Sequence, residues 1–268
     1  MGIITLISDF GTFYPAVMKA VVLGIAPHAK IVDVTHNISP QSVREGAFIL
    51  RETVKYFPRG TTHIAVVDPT VGTGRRALVI EARGHYLVGP DNGLLIPAAR
   101  SLGDFEAMCI QVAAKSSTFH GRDVFAPVGA HISLGRLQNL EPAPAYVDLE
   151  LQYPQVSEHT VAGTIVYVDR FGNCVTNISG ILMIRRSNYG STHLLNGSVA
   201  VQFVRTYDEV AHGHPLLTVG SFDLVEVSVN QGDASNGQQC VSVSYFVVRS
   251  HELYRNGTVE KEIGRAHV

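Results

Sequence analysis

Four short clusters in the 268-residue chain combine acids, bases and small residues in ways that suit a ligand site. They are Ser8-Asp9-Phe10-Gly11, the segment from Asp68 through Thr70 and Gly72 to Arg75-Arg76, Gly89-Pro90-Asp91-Asn92-Gly93, and Ser116-Ser117-Thr118-Phe119-His120-Gly121-Arg122-Asp123. An acid at a strand end (Asp68), an arginine seven positions later (Arg75) and a loop histidine (His120) could meet around one water. The guanidinium would lower the water's pKa, the imidazole would take its proton, and the carboxylate would orient both. Each cluster also has a plainer reading. Asp9-Phe10-Gly11 fits a strand-to-helix turn, and Asp91-Asn92-Gly93 fits a surface turn. A lone histidine is usually structural, but His120 stands beside Arg122 and Asp123 in a Gly-containing segment at a helix start.

Other chemistries fail on spacing. Gly72-Thr73-Gly74 lacks the third glycine and the following helix of a dinucleotide loop. There is no phosphate loop, no Gly-x-Ser-x-Gly elbow, and no kinase signature around Asp9-Phe10-Gly11. His212-Gly213-His214 has metal-like spacing without a further ligand nearby, so it reads as a solvated loop and no metal is expected.

The elements that must position these clusters alternate along the first half. Strand-type runs occur at residues 3–7, 31–34, 64–67, 77–81 and 86–88. Helical spacing appears over 15–25 (Val17, Val21, Val22, Ile25) and after Ser39-Pro40 (Val43, Ala47, Leu50, Val54). Ser42-Val43-Arg44-Glu45 reads as a capping box for that second helix, with Ser39 as N-cap and Pro40 at its first position. A last helix is expected near 125–134. The alternation predicts a largely parallel sheet covered on both faces. In open α/β sheets, ligands bind outside the carboxyl ends of the strands, where the clusters fall.

Prolines at 142, 144 and 154 mark a linker near 141–157. Beyond it, Val-rich runs at 161–169, 198–204, 216–219, 224–229 and 241–248 predict a small all-β domain, a barrel or sandwich. The expected domains are therefore 1–154 and 155–268, with a loose polar tail after Tyr254.

Composition narrows the function class. Apolar residues make up 46% and charged residues only 16%, with a net charge of −2. No basic excess or run favours nucleic acid. No apolar stretch approaches the roughly 18 residues of a membrane span, and the N-terminus lacks the basic region of a signal peptide. Cys109, Cys174 and Cys240 are far apart and odd in number, so a disulfide framework is not expected and a reducing cytoplasm is. Asn-x-Ser/Thr triplets such as Asn196-Gly197-Ser198 read as chance matches.

Taken in order, the motifs resemble the S-adenosyl-L-methionine (SAM) hydrolases, or SAM hydroxide adenosyltransferases, hydrolytic relatives of the SAM-dependent fluorinase and chlorinase. Further matching stretches are Ile31-Val32-Asp33-Val34-Thr35-His36, Tyr56-Phe57-Pro58-Arg59-Gly60-Thr61, Asp169-Arg170-Phe171-Gly172-Asn173 and Val229-Asn230-Gln231-Gly232. The likeness runs from about residue 3 to 250. It implies an N-terminal α/β sandwich domain and a C-terminal β-barrel. It also implies a homotrimer whose active sites lie between one subunit's first domain and its neighbour's second. The family's triad carries onto Asp68, Arg75 and His120; halogenating relatives have tyrosines at the first and third positions. Asp9 matches the ribose contact. Asn173 and the backbone near Gln231 match adenine-edge contacts, and Tyr207 an aromatic against adenine. Asp169 and Ser221 match contacts to the methionine part. Two departures stand out: Thr70 replaces a usual glycine, and Phe13-Tyr14-Pro15-Ala16 replaces polar methionine contacts of the halogenases.

The implied reaction is SAM plus water giving adenosine and L-methionine, with no cofactor and with SAM as the substrate. A chlorinase-like halogenase and a non-catalytic SAM- or adenosine-binding module are the alternatives. Arg75 and His120 argue against both.

Overall fold

The computed structural model describes residues 2–149, 153–195 and 199–235 in full, and residues 246–250 as backbone. Cys240, the Asn196 triplet, the part of the 241–248 run before residue 246, and the tail after Tyr254 lie outside the described residues. The chain divides into two compact units, Met1–Leu151 and Gln152–Val268.

The first unit contains β1 (Ile3–Ser8), α1 (Tyr14–Ile25), β2 (Lys30–Thr35), α2 (Val43–Val54), β3 (Thr62–Val66), β4 (Ala77–Ala82), β5 (His85–Pro90), α3 (Ile96–Leu102), β6 (Phe105–Ile110), α4 (Ala126–Ser133) and β7 (Leu140–Pro142). Its sheet has the order β2-β1-β3-β5-β4-β6-β7. Side chains alternate between the two faces, as strand geometry requires. Leu6, Ile64 and Val79 meet Met18 and Val22 of α1 and Ala130 of α4. Ile7, Ala65 and Ile80 meet Ala47 and Leu50 of α2 and Ala98 of α3. β1 and β3 are buried almost end to end, as expected for strands covered on both faces.

The sheet is mixed rather than largely parallel. β2, β1, β3 and β5 run parallel, whereas β4, β6 and β7 are antiparallel to their neighbours. The cause is the two-residue link between β4 and β5. Arg83 and Gly84 both take positive φ (50° and 80°), the signature of a tight hairpin turn. A two-residue link cannot carry a crossover, so the strands must run antiparallel.

The capping box expected at Ser42 also fails to form. α2 starts at Val43 and the Ser42 side chain makes no cap bond. Glu45 instead accepts from the backbone of Ser39 at 3.1 Å, and Gln41 turns the chain at φ 65°. The expected helical Pro40 therefore belongs to a turn.

A buried histidine pair lies in this unit. His63 bonds Thr5 Oγ1 at 2.8 Å through Nδ1 and His85 Nδ1 at 3.1 Å through Nε2. Burial, then the charge of His85, pushes His63 down to about 3. Burial, then the Arg59 charge, lowers His85 as well. The unfolded chain therefore binds protons below pH 6.5 that the folded chain refuses. Stability is complete above that pH and is lost as pH falls toward 3, by up to about 1.4 kcal/mol per pH unit for one such group. Urea unfolding at pH 7 and pH 5 should show this loss, and His63→Gln should flatten it. An unchanged slope in the variant would assign the acid sensitivity elsewhere.

The second unit is β-rich: β8 (Gln155–Val156), β9 (Thr160–Gly163), β10 (Ile165–Val168), β11 (Cys174–Ser179), α5 (Gly180–Arg186), β12 (Thr192–Leu195), β13 (Val199–Phe203), β14 (Pro215–Val219), β15 (Leu224–Val229) and β16 (Phe246–Ser250). The strand order is β10-β11-β15-β14-β13-β12-β16-β9-β8. β9 and β10 are two pieces of one extended segment broken at Thr164. The first pairs with β16 and the second with β11. Thr164 itself exchanges bonds with Asn177, through its carbonyl to the Asn177 N–H (3.0 Å) and its N–H to Asn177 Oδ1 (2.8 Å). Cys109 is a buried free thiol, while Cys174 is disulfide-bonded, a feature at odds with the reducing environment expected from the cysteine count. Among the described residues no helix is long and apolar enough to cross a membrane.

Candidate active site

The parallel strands deliver the acidic clusters to one end of the first sheet. Ser8 of β1 stands opposite Val66 of β3, so Asp9 and Asp68 follow adjacent strand ends. β4 is antiparallel to β5 with Ala77 opposite Pro90, so Arg75 and Arg76 enter at the same end as Asp91 leaves.

The structure brings Asp68, Arg75 and His120 together. Arg75 Nε donates to both Asp68 oxygens at 3.0 and 2.9 Å, and Nη2 bonds Oδ2 as well. The same Nη2 reaches His120 Nδ1 at 2.8 Å, and Nη1 donates to the Arg76 carbonyl at 3.1 Å. Arginine is thus the centre of the trio, and Asp68 touches His120 only through it. The side chains of Arg75 and Asp68 are 7% and 4% exposed, so their charges neutralise one another out of water. Phe125 closes one face of the guanidinium at 5.3 Å. Because Nδ1 accepts from arginine, the neutral imidazole carries its proton on Nε2. Burial first, and the Arg75 charge second, hold His120 below the ordinary imidazole value. It is therefore neutral at pH 7 and able to receive a proton.

Each member is braced by its own loop. Asn92 Nδ2 donates to the Val67 carbonyl at 2.8 Å, directly before Asp68. Thr70 donates from Oγ1 to Asp68 Oδ1 at 3.2 Å. Asp91 accepts from Arg76 Nε and from the Val147 N–H, at 2.8 and 2.7 Å, which fixes the strand entry beside Arg75. Gly72 has φ 80°, and a Cβ there would lie 2.6 Å from the Ser117 carbonyl. Only glycine lets the Asp68 loop and the His120 loop approach this closely. His120 immediately precedes a π-helical turn, Gly121–Phe125, that runs into α4. Asp123 in that turn accepts from the Ser116 N–H at 2.8 Å and from Arg122 Nε at 2.7 Å. Asp123 and Arg122, whose proximity marked His120 in the sequence, therefore anchor its loop.

Asp9 is held separately. Its Oδ2 accepts from the Gln41 N–H at 2.9 Å. The preceding Ser8 bonds His36 Nδ1 at 2.8 Å, His36 Nε2 bonds Asp33 Oδ1 at 3.1 Å, and Gly11 N donates to the His36 carbonyl at 2.9 Å. This network ties the β1 end to the β2 end. The sequence listed these residues as a motif without revealing the chain of bonds.

The second unit holds a cavity of about 870 Å³ that gathers Asp169, Asn173, Tyr207, Ser221 and Gln231. All five unit-two site residues expected from the sequence line it. Tyr167, Phe222 and Glu226 also line it and were not foreseen. Asp169 is occupied within its own loop. Oδ1 accepts from the Phe171 and Asn173 N–H groups at 2.8 and 2.9 Å, and Oδ2 from Asn173 Nδ2 at 2.9 Å. Glu226 is 9% exposed and accepts from the Tyr207 hydroxyl at 3.3 Å. Its neighbours Val225 and Val227 point into the core, an alternation that ordinarily puts the residue between them on a solvated face. His212 and His214 sit in an exposed loop, where His214 Nδ1 lies 3.2 Å from the carbonyl of His212.

The chain is similar to known proteins over most of its length. The model of the SAM hydroxide adenosyltransferase N-terminal domain matches residues 4–141, and that of the C-terminal domain matches residues 163–240. The chain is 38% identical over 251 residues to an (R)-S-adenosyl-L-methionine hydrolase of Salinispora arenicola, covering 87% of this chain and 92% of that one. A fluorinase of Actinoplanes sp. is 30% identical over 213 residues, covering 66% of this chain and 71% of that one. A crystal structure of an uncharacterized conserved protein from Thermotoga maritima superposes with a TM-score of 0.85 at 31% identity, covering 92% of this chain and 99% of that one. The chain belongs to the SAM hydroxide adenosyltransferase family.

Proposed function

We propose that this protein is an enzyme that hydrolyses SAM to adenosine and L-methionine, acting on the (R) form for which its hydrolase relatives are named. The observation that carries the reading is the Asp68–Arg75–His120 chain of bonds at the carboxyl end of the first sheet. Bulk water has a pKa of about 15.7, so hydroxide is scarce at neutral pH. A water inserted between Arg75 Nη2 and His120 Nδ1 gives its proton to the imidazole. The hydroxide that forms keeps the guanidinium as its partner. Its oxygen bonds to ribose C5′ as the C5′–S bond breaks, and the electron pair leaves with sulfur. Sulfonium becomes neutral thioether, so the leaving group needs no acid and the step needs no cofactor. Charges cancel on the way, and a dry site favours that cancellation.

In this reading the first domain, residues 1–154, supplies the catalytic trio and Asp9 for the ribose hydroxyls. The second, residues 155–268, supplies Asn173, Tyr207 and Gln231 for adenine, and Asp169 and Ser221 for the methionine part. We infer a homotrimer that joins the trio of one copy to the cavity of the next. The second sheet closes into a barrel, a reading supported by the single bent segment that pairs with both β16 and β11. A cytoplasmic location follows from a substrate that cells make and use internally.

The test is incubation of purified protein with (R)- and (S)-SAM in chloride buffer, with chromatography of the products. Adenosine plus methionine, formed faster from the R form, is the expected result. Release of 5′-chloro-5′-deoxyadenosine would make it a halogenase, and SAM stable for hours would make it a binding module.

A further inference from the structure

Three carboxylates, Asp169, Glu226 and Asp233, line the cavity of the second unit, and only Glu226 among them is buried. Asp169 spends both oxygens on the backbone and side chain of its own loop. Glu226 has the Tyr207 hydroxyl at 3.3 Å, a long bond for an ionised acceptor. It is nine-tenths buried, on β15, in the wall of the cavity. Room for it is built in. Its carboxylate lies against Gly220, where the Cβ of any other residue would collide with Oε1. Ser221, the next residue, lines the same cavity. Arg170 also lines the cavity, yet burial first, and the Asp169 charge in addition, raise the Glu226 carboxyl above the ordinary value, with the Tyr207 bond opposing them. A carboxylate kept under such strain and facing a cavity is suited to a cation.

We propose that Glu226 is a specificity-determining residue that accepts the α-ammonium group of the substrate's amino-acid end. The inference rests on the substrate proposed above. SAM offers two cations, but the sulfonium has no hydrogen to donate, while the ammonium has three. A bond to the ammonium also persists through the reaction, because the ammonium keeps its charge while the sulfonium loses it. It is therefore uniform binding energy, whose loss falls on KM rather than kcat.

The test uses Glu226→Gln, which keeps shape and removes charge. S-adenosylhomocysteine retains the ammonium, lacks the sulfonium and cannot be hydrolysed. 5′-Methylthioadenosine lacks both charges. By calorimetry, the variant should bind S-adenosylhomocysteine at least tenfold more weakly and 5′-methylthioadenosine within twofold of wild type. KM for SAM should rise by a factor similar to that for S-adenosylhomocysteine. The melting temperature should not fall, because the amide escapes the burial cost of the ion; Glu226→Asp should recover part of the affinity. Equal weakening of both thioether ligands would place Glu226 behind Tyr207 in nucleoside binding and overturn the proposal. Weakened SAM with unchanged S-adenosylhomocysteine would assign Glu226 to the sulfonium and also overturn it. Should wild type bind these ligands as described yet leave SAM intact, the hydrolytic reading fails and the ammonium site stands.

Discussion

Replacing Arg75 with alanine should lower the turnover of SAM by about 10²- to 10³-fold, with a much smaller change in affinity. The guanidinium is bonded at once to Asp68 and to His120, so no neighbour can substitute for it. Its loss removes the positive charge that favours hydroxide and lets the imidazole drift from the nucleophile. It also leaves the Asp68 carboxylate, 4% exposed, without its counter-ion. Breaking such a pair from one side costs about 3–5 kcal/mol of stability. The double variant Asp68→Asn/Arg75→Met removes both charges together and separates catalysis from folding. Arg75→Lys should also lose most activity, because an ammonium cannot span carboxylate and imidazole with a fixed fork. Single-turnover rates with saturating SAM, read beside a melting curve, decide the matter. A folded Arg75 variant with the wild-type rate would remove arginine from the mechanism.

His120→Ala should produce a loss on the order of 10²-fold in kcat, and it should change the pH profile as well. The base works when neutral. Burial and then the Arg75 charge pull its pKa below 6.5, so protonation is delayed to lower pH. Wild-type kcat/KM should therefore hold steady through neutrality and decline only at a midpoint below 6.5. In the variant the residual rate should lack that decline. A wild-type midpoint above 6.5 would mean that His120 is not the titrating base. An undiminished rate in the variant would mean that water loses its proton elsewhere.

Much of this site was readable from residue order because its chemistry sits at strand ends. The runs at 3–7 and 64–67 announced β1 and β3, and the polar residues that follow them had to share one edge of the sheet. Where the sequence misled, a local conformation had overridden a pattern. Arg83-Gly84 carries none of the usual hairpin residues at its first position, so the reversal into β5 and the antiparallel half of the sheet went unseen. Gln41 takes a left-handed turn that no propensity foretold, and it moved the start of α2. Glu226 alternates with buried valines, a pattern that normally marks an outward face. Here both faces are covered, and Ser228 beside it is fully buried as well. Pairings across strands such as Ser8–His36–Asp33 need the sheet order before they can be inferred.

The π-helical turn after His120 sets the direction of that imidazole. A wider turn holds one more residue than the regular helix, and each helical residue advances the chain by about 100°. Deleting a single amino acid between 121 and 125 would relax the bulge into ordinary helix without breaking it. The histidine would then swing a quarter-turn or more away from its arginine. A residue gained or lost in this segment would therefore reach the catalytic trio directly, through the angle at which His120 meets Arg75.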